Sequence, residues 1–174
     1  ICKNKKIPVN LETSLNKDII KIALKYKPDF ICLVPENRKE VTTEGGLDLI
    51  KNKNKIKNFI IRFQNKKIRT SLFINPNLKD VKIAKELNAD CIELHTGKIS
   101  DLIKQKKSYT NEFKKIRKCC KLANKIDLEV HAGHGLDYKS TKILNRIKEI
   151  KEFNIGHFII GESIFYGLKK IIKR

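Results

Sequence analysis

The sequence of 174 residues contains no run of roughly 18 or more apolar residues, the length that a membrane-spanning helix requires. It also has no charged segment that leads into an apolar stretch, which is the pattern of a secretory signal. Both absences favour a cytoplasmic chain without a membrane partner. The apolar content of 40% still supports a core, and the length predicts a single domain, 1–174.

The cysteines are odd in number and form no C-x-x-C pair, which argues against a disulfide framework and against a zinc site. No His-x-His or His-x-x-x-His spacing stands with a carboxylate as a recognisable ligand set. We therefore expect no metal, and reduced thiols that are mostly buried. The five cysteines are Cys2, Cys32, Cys91, Cys119 and Cys120.

Arginine is scarce, because only six of the 39 basic residues are Arg and the rest are Lys. A net charge of +20 is otherwise typical of nucleic-acid binding. Base edges and phosphates are read best by the guanidinium group, whereas these lysines are spread along every segment. We interpret the charge as a solvated surface and expect no nucleic-acid partner.

Short apolar runs rich in Ile and Val alternate with longer amphipathic, lysine-rich stretches. This alternation is typical of βα units that build a parallel sheet. Six units are predicted, two fewer than a closed (β/α)8 barrel contains. The predicted strands are 7–12, 30–35, 68–74, 91–95, 128–131 and 152–156. The predicted helices are 15–26, 47–65, 78–88, 109–125, 139–150 and 157–173. The segment 157–161 could also be a strand by composition, but helical spacing of apolar residues as far as Arg174 favours the helix.

All four histidines are predicted at or just after the carboxyl ends of strands, where parallel α/β folds carry their sites. His95 ends one strand, and His131 and His134 stand in a glycine-containing stretch that suits a loop close to a substrate. Gly156 ends a predicted strand and His157 lies in the first turn of the following helix, whose N-terminus attracts phosphate. An ordinary turn and structural histidines are the alternatives.

Two carboxylates fall at the same level of the predicted sheet, namely Glu12 and Glu93. Burial would raise the pKa of either carboxylate and suit it to proton transfer. A buried structural acceptor is the alternative for Glu93. The polar loop 34–46 carries Thr42 and Thr43, which could bind a polyol or a phosphate, or could simply be solvated.

Seven segments in chain order resemble the pyridoxine 5'-phosphate synthase family across essentially the whole chain. The longest is Glu-Val-Thr-Thr-Glu-Gly-Gly-Leu-Asp at 40–48. The others are Val-Asn-Leu-Glu at 9–12, Leu-Val-Pro-Glu-Asn-Arg at 33–38, Ser-Leu-Phe-Ile at 71–74, Ile-Glu-Leu-His-Thr-Gly at 92–97, Ala-Gly-His-Gly-Leu at 132–136 and Asn-Ile-Gly-His at 154–157.

The resemblance implies an α/β fold of the TIM (β/α)8 type, of which this chain supplies about six units. It implies condensation of 1-deoxy-D-xylulose 5-phosphate with 3-amino-2-oxopropyl phosphate to pyridoxine 5'-phosphate, phosphate and water. It implies phosphorylated small-molecule substrates, a homo-oligomer, and no metal or organic cofactor.

The resemblance also implies roles for individual residues. Glu12 matches the family's acid/base glutamate, His134 its proton donor, and Glu93 the group that stabilises the transition state. The residues that match substrate-binding positions are Thr42 for the deoxyxylulose phosphate, and Gly135, Gly156 and His157 for the amino-oxopropyl phosphate.

Some family features are missing. The family's Asn-x-Asp-His and His-x-Arg signatures and first two strands have no counterpart here, so we expect an open sheet with two exposed edges. His131 replaces a smaller amide, and Glu162 stands where a basic residue is common. A truncated, inactive or partner-dependent remnant of such an enzyme is therefore the alternative prediction.

Overall fold

The computed structural model describes residues 6–36 and 45–173. Thr42 and Thr43 therefore lie outside the described residues. The strands are β1 (Asn10–Thr13), β2 (Phe30–Leu33), β3 (Arg69–Ile74), β4 (Cys91–His95), β5 (Glu129–Gly133) and β6 (Ile150–Asn154). The helices are α1 (Lys17–Tyr26), α2 (Lys53–Gln64), α3 (Leu78–Glu86), α4 (Gly97–Lys104), α5 (Thr110–Lys125), α6 (Tyr138–Leu144), α7 (His157–Tyr166) and α8 (Leu168–Lys173).

The six strands form one parallel sheet in the order β1-β2-β3-β4-β5-β6. Each strand pairs with its sequence neighbour, so each βα unit moves the chain one step along the sheet. This is the topology of an α/β barrel. Within the described ranges, β1 and β6 each pair on one side only, as expected for an open sheet.

The core lies between the sheet and its helices because side chains alternate across each strand. On β4, Ile92 and Leu94 belong to the apolar cluster, whereas Cys91, Glu93 and His95 do not. On α2, one face supplies apolar side chains to the same cluster. Those α2 side chains are Ile56, Phe59, Ile60 and Phe63.

Several predicted boundaries are wrong. The helix predicted over 47–65 begins at Lys53, since Leu47 instead donates its N–H to the Phe73 carbonyl at 2.9 Å. The helix predicted over 139–150 ends at Leu144, and the last strand starts at Ile150. The helix predicted over 157–173 is interrupted at Gly167, whose φ is 80°. The short helix α4 was not predicted at all.

Tyr138 ties the two C-terminal helices to the rest of the fold. Its hydroxyl donates to the Ile171 carbonyl at 2.7 Å, and its ring packs edge-on against Phe158 with centroids 4.8 Å apart. None of the described helices has the length and apolar character needed to cross a membrane. The four described cysteines are buried and are not in disulfides.

Asp137 caps α6 and thereby fixes the end of the loop that follows β5. Its carboxylate accepts the Ser140 N–H at 2.8 Å, and the Ser140 hydroxyl accepts the Asp137 N–H at 2.8 Å. We expect Asp137→Ala to lower the free energy of unfolding by about 1 kcal/mol, because the Ser140 N–H and hydroxyl lose their carboxylate acceptor. Urea unfolding measures this, and Lys139→Ala on the exposed side of the same turn is the control. Equal stability of the two variants would contradict the role of the cap.

Candidate active site at the carboxyl ends of the strands

A cavity of about 1010 Å³ opens at the carboxyl ends of the strands. The sequence-predicted residues Glu12, Glu93 and His134 all line it. Gly135, Gly156 and His157 line it as well. Six of the seven predicted site residues are thus brought to one cavity, and the seventh, Thr42, lies outside the described residues.

Glu93 is a buried carboxyl group on the inner side of β4, with 4% of its surface exposed. Burial raises its pKa from 4.5 to about 7, because an ionised carboxylate loses its hydration there. The hydrogen bond from Asn154 opposes the rise in pKa, and the charge of Glu12 adds to it. Near neutral pH this carboxyl group is therefore divided between its protonated and ionised forms.

Three neighbours fix the Glu93 carboxyl group in place. The Asn154 amide donates to Oε2 at 2.7 Å, and the Cys32 thiol donates to the same oxygen at 3.5 Å. Burial raises the pKa of the Cys32 thiol, and the charge of Glu93 raises it further, so the thiol remains a donor. Gly133 lies so close to Oε1 that a Cβ atom at this position would collide with it.

His134 projects from the loop after β5 with a strained backbone. Its φ is 77°, in the left-handed region that non-glycine residues rarely adopt. Gly135 follows with a φ of 75°. The Thr96 hydroxyl contacts the carbonyl oxygens of Gly133 at 2.7 Å and of His134 at 2.9 Å. Thr96 is fully buried and anchors the strained segment to the end of β4.

His95 stacks against His134 at the cavity wall. Their ring centroids are 4.7 Å apart and the planes differ by 23°. Phe73 meets the His95 ring edge-on at 5.3 Å. The end of β4 therefore supports the loop after β5 through both the backbone and a ring contact.

Gly156 and His157 lie at the start of α7, where no side chain caps the helix. The first helical bond recorded there joins the Ile160 N–H to the Gly156 carbonyl at 3.0 Å. The preceding N–H groups of the first turn thus have no helical acceptors. A Cβ at Gly156 would meet no atom within 4 Å, so the fold itself does not demand glycine here.

The predicted position of His131 is wrong. The strand continues to Gly133, so His131 lies in the middle of β5, 2% exposed, away from the cavity mouth. Its Nε2 lies 2.9 Å from Glu129 Oε1, and Arg69 contacts the other oxygen of Glu129 at 3.2 Å. Cys91 completes a group of ligand-type atoms within 4.8 Å. Arg69 forms an ion pair with Glu129 and His131 contacts the same carboxylate, so these residues form a polar network.

Sequence reasoning missed Asn154, Thr96 and Cys32 as supporting residues. Asn154 lies in the Asn-Ile-Gly-His segment at 154–157, but nothing in that segment indicates a contact with Glu93. Cys32 carries no signal either, since a thiol in an apolar strand looks like any small core residue. The last residues of the loop after β2 are anchored, with the Gly46 N–H donating to Asn75 Oδ1 at 3.0 Å.

The family model described as "Pyridoxal phosphate biosynthesis protein PdxJ" matches residues 1–174. A protein named pyridoxine 5'-phosphate synthase from Pelagibacter ubique (strain HTCC1062) is 72% identical over 172 residues, covering 99% of this chain and 72% of the relative. A protein of the same name from Zymomonas mobilis is 44% identical over 168 residues. That match covers 97% of this chain and 65% of the relative.

Among solved structures, the tryptophan synthase A-subunit from the hyperthermophile Pyrococcus furiosus has a TM-score of 0.62 at 18% identity. The similarity covers 98% of this chain and 66% of that one. GMP reductase from Trypanosoma brucei has a TM-score of 0.60 at 13% identity, over 86% of this chain and 30% of that one. At such low identities the structural similarity supports conclusions about the fold alone. It confirms the predicted TIM-barrel type.

Glu93 makes stability depend on pH in a defined direction. Its folded-state pKa of about 7 exceeds the ordinary 4.5, so between these values the folded chain holds a proton that the unfolded chain has lost. This stabilisation is complete below about pH 4.5 and is lost as the pH rises through 7. Relative to Glu93→Gln, the free energy of unfolding of the wild type should fall by about 3 kcal/mol from about pH 4 to about pH 8. Urea unfolding of both proteins across this range measures it, and a constant difference would contradict the burial argument.

Proposed function

The chain belongs to the family of pyridoxal phosphate biosynthesis protein PdxJ, and on that basis we propose that it condenses 1-deoxy-D-xylulose 5-phosphate with 3-amino-2-oxopropyl phosphate. The products are pyridoxine 5'-phosphate, inorganic phosphate and water. The observation that carries the proposal is the convergence of Glu12, Glu93 and His134 on one cavity. The two relatives described above are named as synthases, and we assign the proposed reaction to the transferase class.

Ring closure between these substrates consists of imine formation, dehydrations and expulsion of phosphate. Each step moves a proton to or from oxygen, nitrogen or carbon, and general acids and bases accelerate such transfers. A carboxyl group with a pKa of about 7 can donate and accept protons near neutral pH. The site therefore has the groups that the reaction needs.

The three ionisable residues take different parts in the proposed reaction. Glu12, at the more exposed edge of the cavity, takes up and returns protons of the substrate. His134 donates the proton to the leaving oxygen from its strained loop. Glu93, buried and hydrogen-bonded by Asn154, stabilises the transition state with a carboxyl group whose position is fixed before substrate arrives.

The uncapped start of α7 suits the phosphate of the amino-oxopropyl substrate. Backbone N–H groups and the helix dipole favour an anion at Gly156 and His157. Gly135 offers the phosphate a second contact, because this left-handed glycine has no side chain to cover its backbone in the cavity. Thr42 remains the proposed contact for the deoxyxylulose phosphate, and a homo-oligomer remains the proposed assembly.

Replacement of His134 tests the proposed acid directly. In the complete polypeptide, we expect His134→Gln to reduce kcat by on the order of 10²–10⁴, the usual loss when a general acid is removed. Phosphate release and formation of the pyridoxine 5'-phosphate chromophore measure turnover. His131→Asn is the matched control, since His131 is buried in the middle of β5, contacts Glu129 and does not line the cavity, and it should retain turnover close to that of the wild type.

Two results would contradict the proposal. Absence of turnover by the complete wild-type polypeptide would favour the inactive or partner-dependent remnant. Full turnover by His134→Gln would remove His134 from the chemistry while leaving the family assignment intact.

A further inference from the structure

We propose that His95 is a positioning residue that holds the His134 imidazole in its working orientation. The inference rests on the proposed function, in which His134 is the proton donor. It concerns a residue on a different strand, and its evidence is the packing of the two rings.

The contact between the two imidazoles is a stacked one. The centroids are 4.7 Å apart with planes 23° from parallel, whereas Phe73 meets His134 only at 6.4 Å and in a tilted geometry. An offset stack restricts rotation of the outer ring because turning it loses the face contact. Among the described aromatic contacts, His95 is therefore the one that sets the plane of His134.

His95 can do this because its own ring occupies a narrow slot. Phe73 closes one side at 5.3 Å in an edge-on geometry. A Cβ on Gly97 would lie 2.7 Å from Cε1 of His95 and 3.0 Å from Cδ2 of His134. A Cβ on Gly45 would lie 3.1 Å from Nε2 of His95. Only glycine backbone fits on these sides, so the slot leaves the His95 ring little freedom.

His134 needs such a support because its surroundings are open. It is exposed and stands on a loop of left-handed residues. A second cavity of about 400 Å³ lies beside the first, and both histidines line each of them. Without the His95 ring, the His134 side chain has room to turn out of the main cavity. A displacement of about 1 Å is enough to cost on the order of 10² in rate.

Two substitutions separate a positioning role from a chemical one. His95→Ala removes the stacking ring, whereas His95→Phe keeps a flat ring but has no nitrogen. In the complete polypeptide, we expect His95→Ala to lower kcat by on the order of 10² while KM changes little. We expect His95→Phe to recover most of that loss. His131→Asn serves as a control for replacing a histidine in the neighbouring strand.

A measurement without turnover keeps this inference separate from the proposed function. The His134 ring resonances, assigned in proton–nitrogen NMR spectra with His134→Gln, should carry a ring-current shift from His95. The shift should disappear in His95→Ala and persist in His95→Phe. Wild-type inactivity with this NMR pattern would refute the reaction but leave the positioning role standing.

Three results would overturn the inference. Wild-type kcat in His95→Ala would show that the stack is not needed. Equal losses in His95→Ala and His95→Phe would mean that the imidazole itself reacts or binds substrate. Unchanged His134 resonances in His95→Ala would show that the rings do not contact each other in solution.

Discussion

The burial of one carboxyl group, that of Glu93, is the constraint on which the site depends. The two-residue alternation along β4 turns Glu93 inward between Ile92 and Leu94, which pack into the core. Strand pairing then places the Glu93 carboxyl group against β5, where Gly133 leaves room for it. From β6, Asn154 donates a hydrogen bond to the same group. The same register that builds the apolar core thus sets the pKa of the acid in the cavity.

Beside this carboxyl group, the loop after β5 contains two consecutive left-handed residues, His134 and Gly135. Buried Thr96 holds this segment from the end of β4. Residues in such conformations persist only when the surroundings fix them. The consequence is a loop that presents an imidazole to the cavity while its backbone is tied to the neighbouring strand.

Much of this arrangement was accessible from the sequence. The run Cys-Ile-Glu-Leu-His was predicted as the strand 91–95 and is β4, because β-branched and apolar residues between turn signals admit few alternatives. The sequence predicts Glu12, His134 and Gly156 at the carboxyl ends of strands, where parallel sheets place their sites, and Glu93 inside a strand at the same level as Glu12. His131 was misplaced because a two-residue error in the end of β5 moves a side chain from mid-strand to the mouth. The partners of Glu93 could not be found, since Cys32 and Asn154 are 61 residues from it in the chain.

A carbon-13 NMR titration of the Glu93 side-chain carboxyl group tests the account most directly. The expected pKa is about 7, and Asn154→Leu should raise it further because the carboxylate loses its shortest hydrogen bond. Cys32→Ala should have a smaller effect, since the thiol contact is longer. A pKa near the ordinary 4.5 in the wild type would mean that water hydrates this carboxylate and that the closed, preorganised acid described above does not exist.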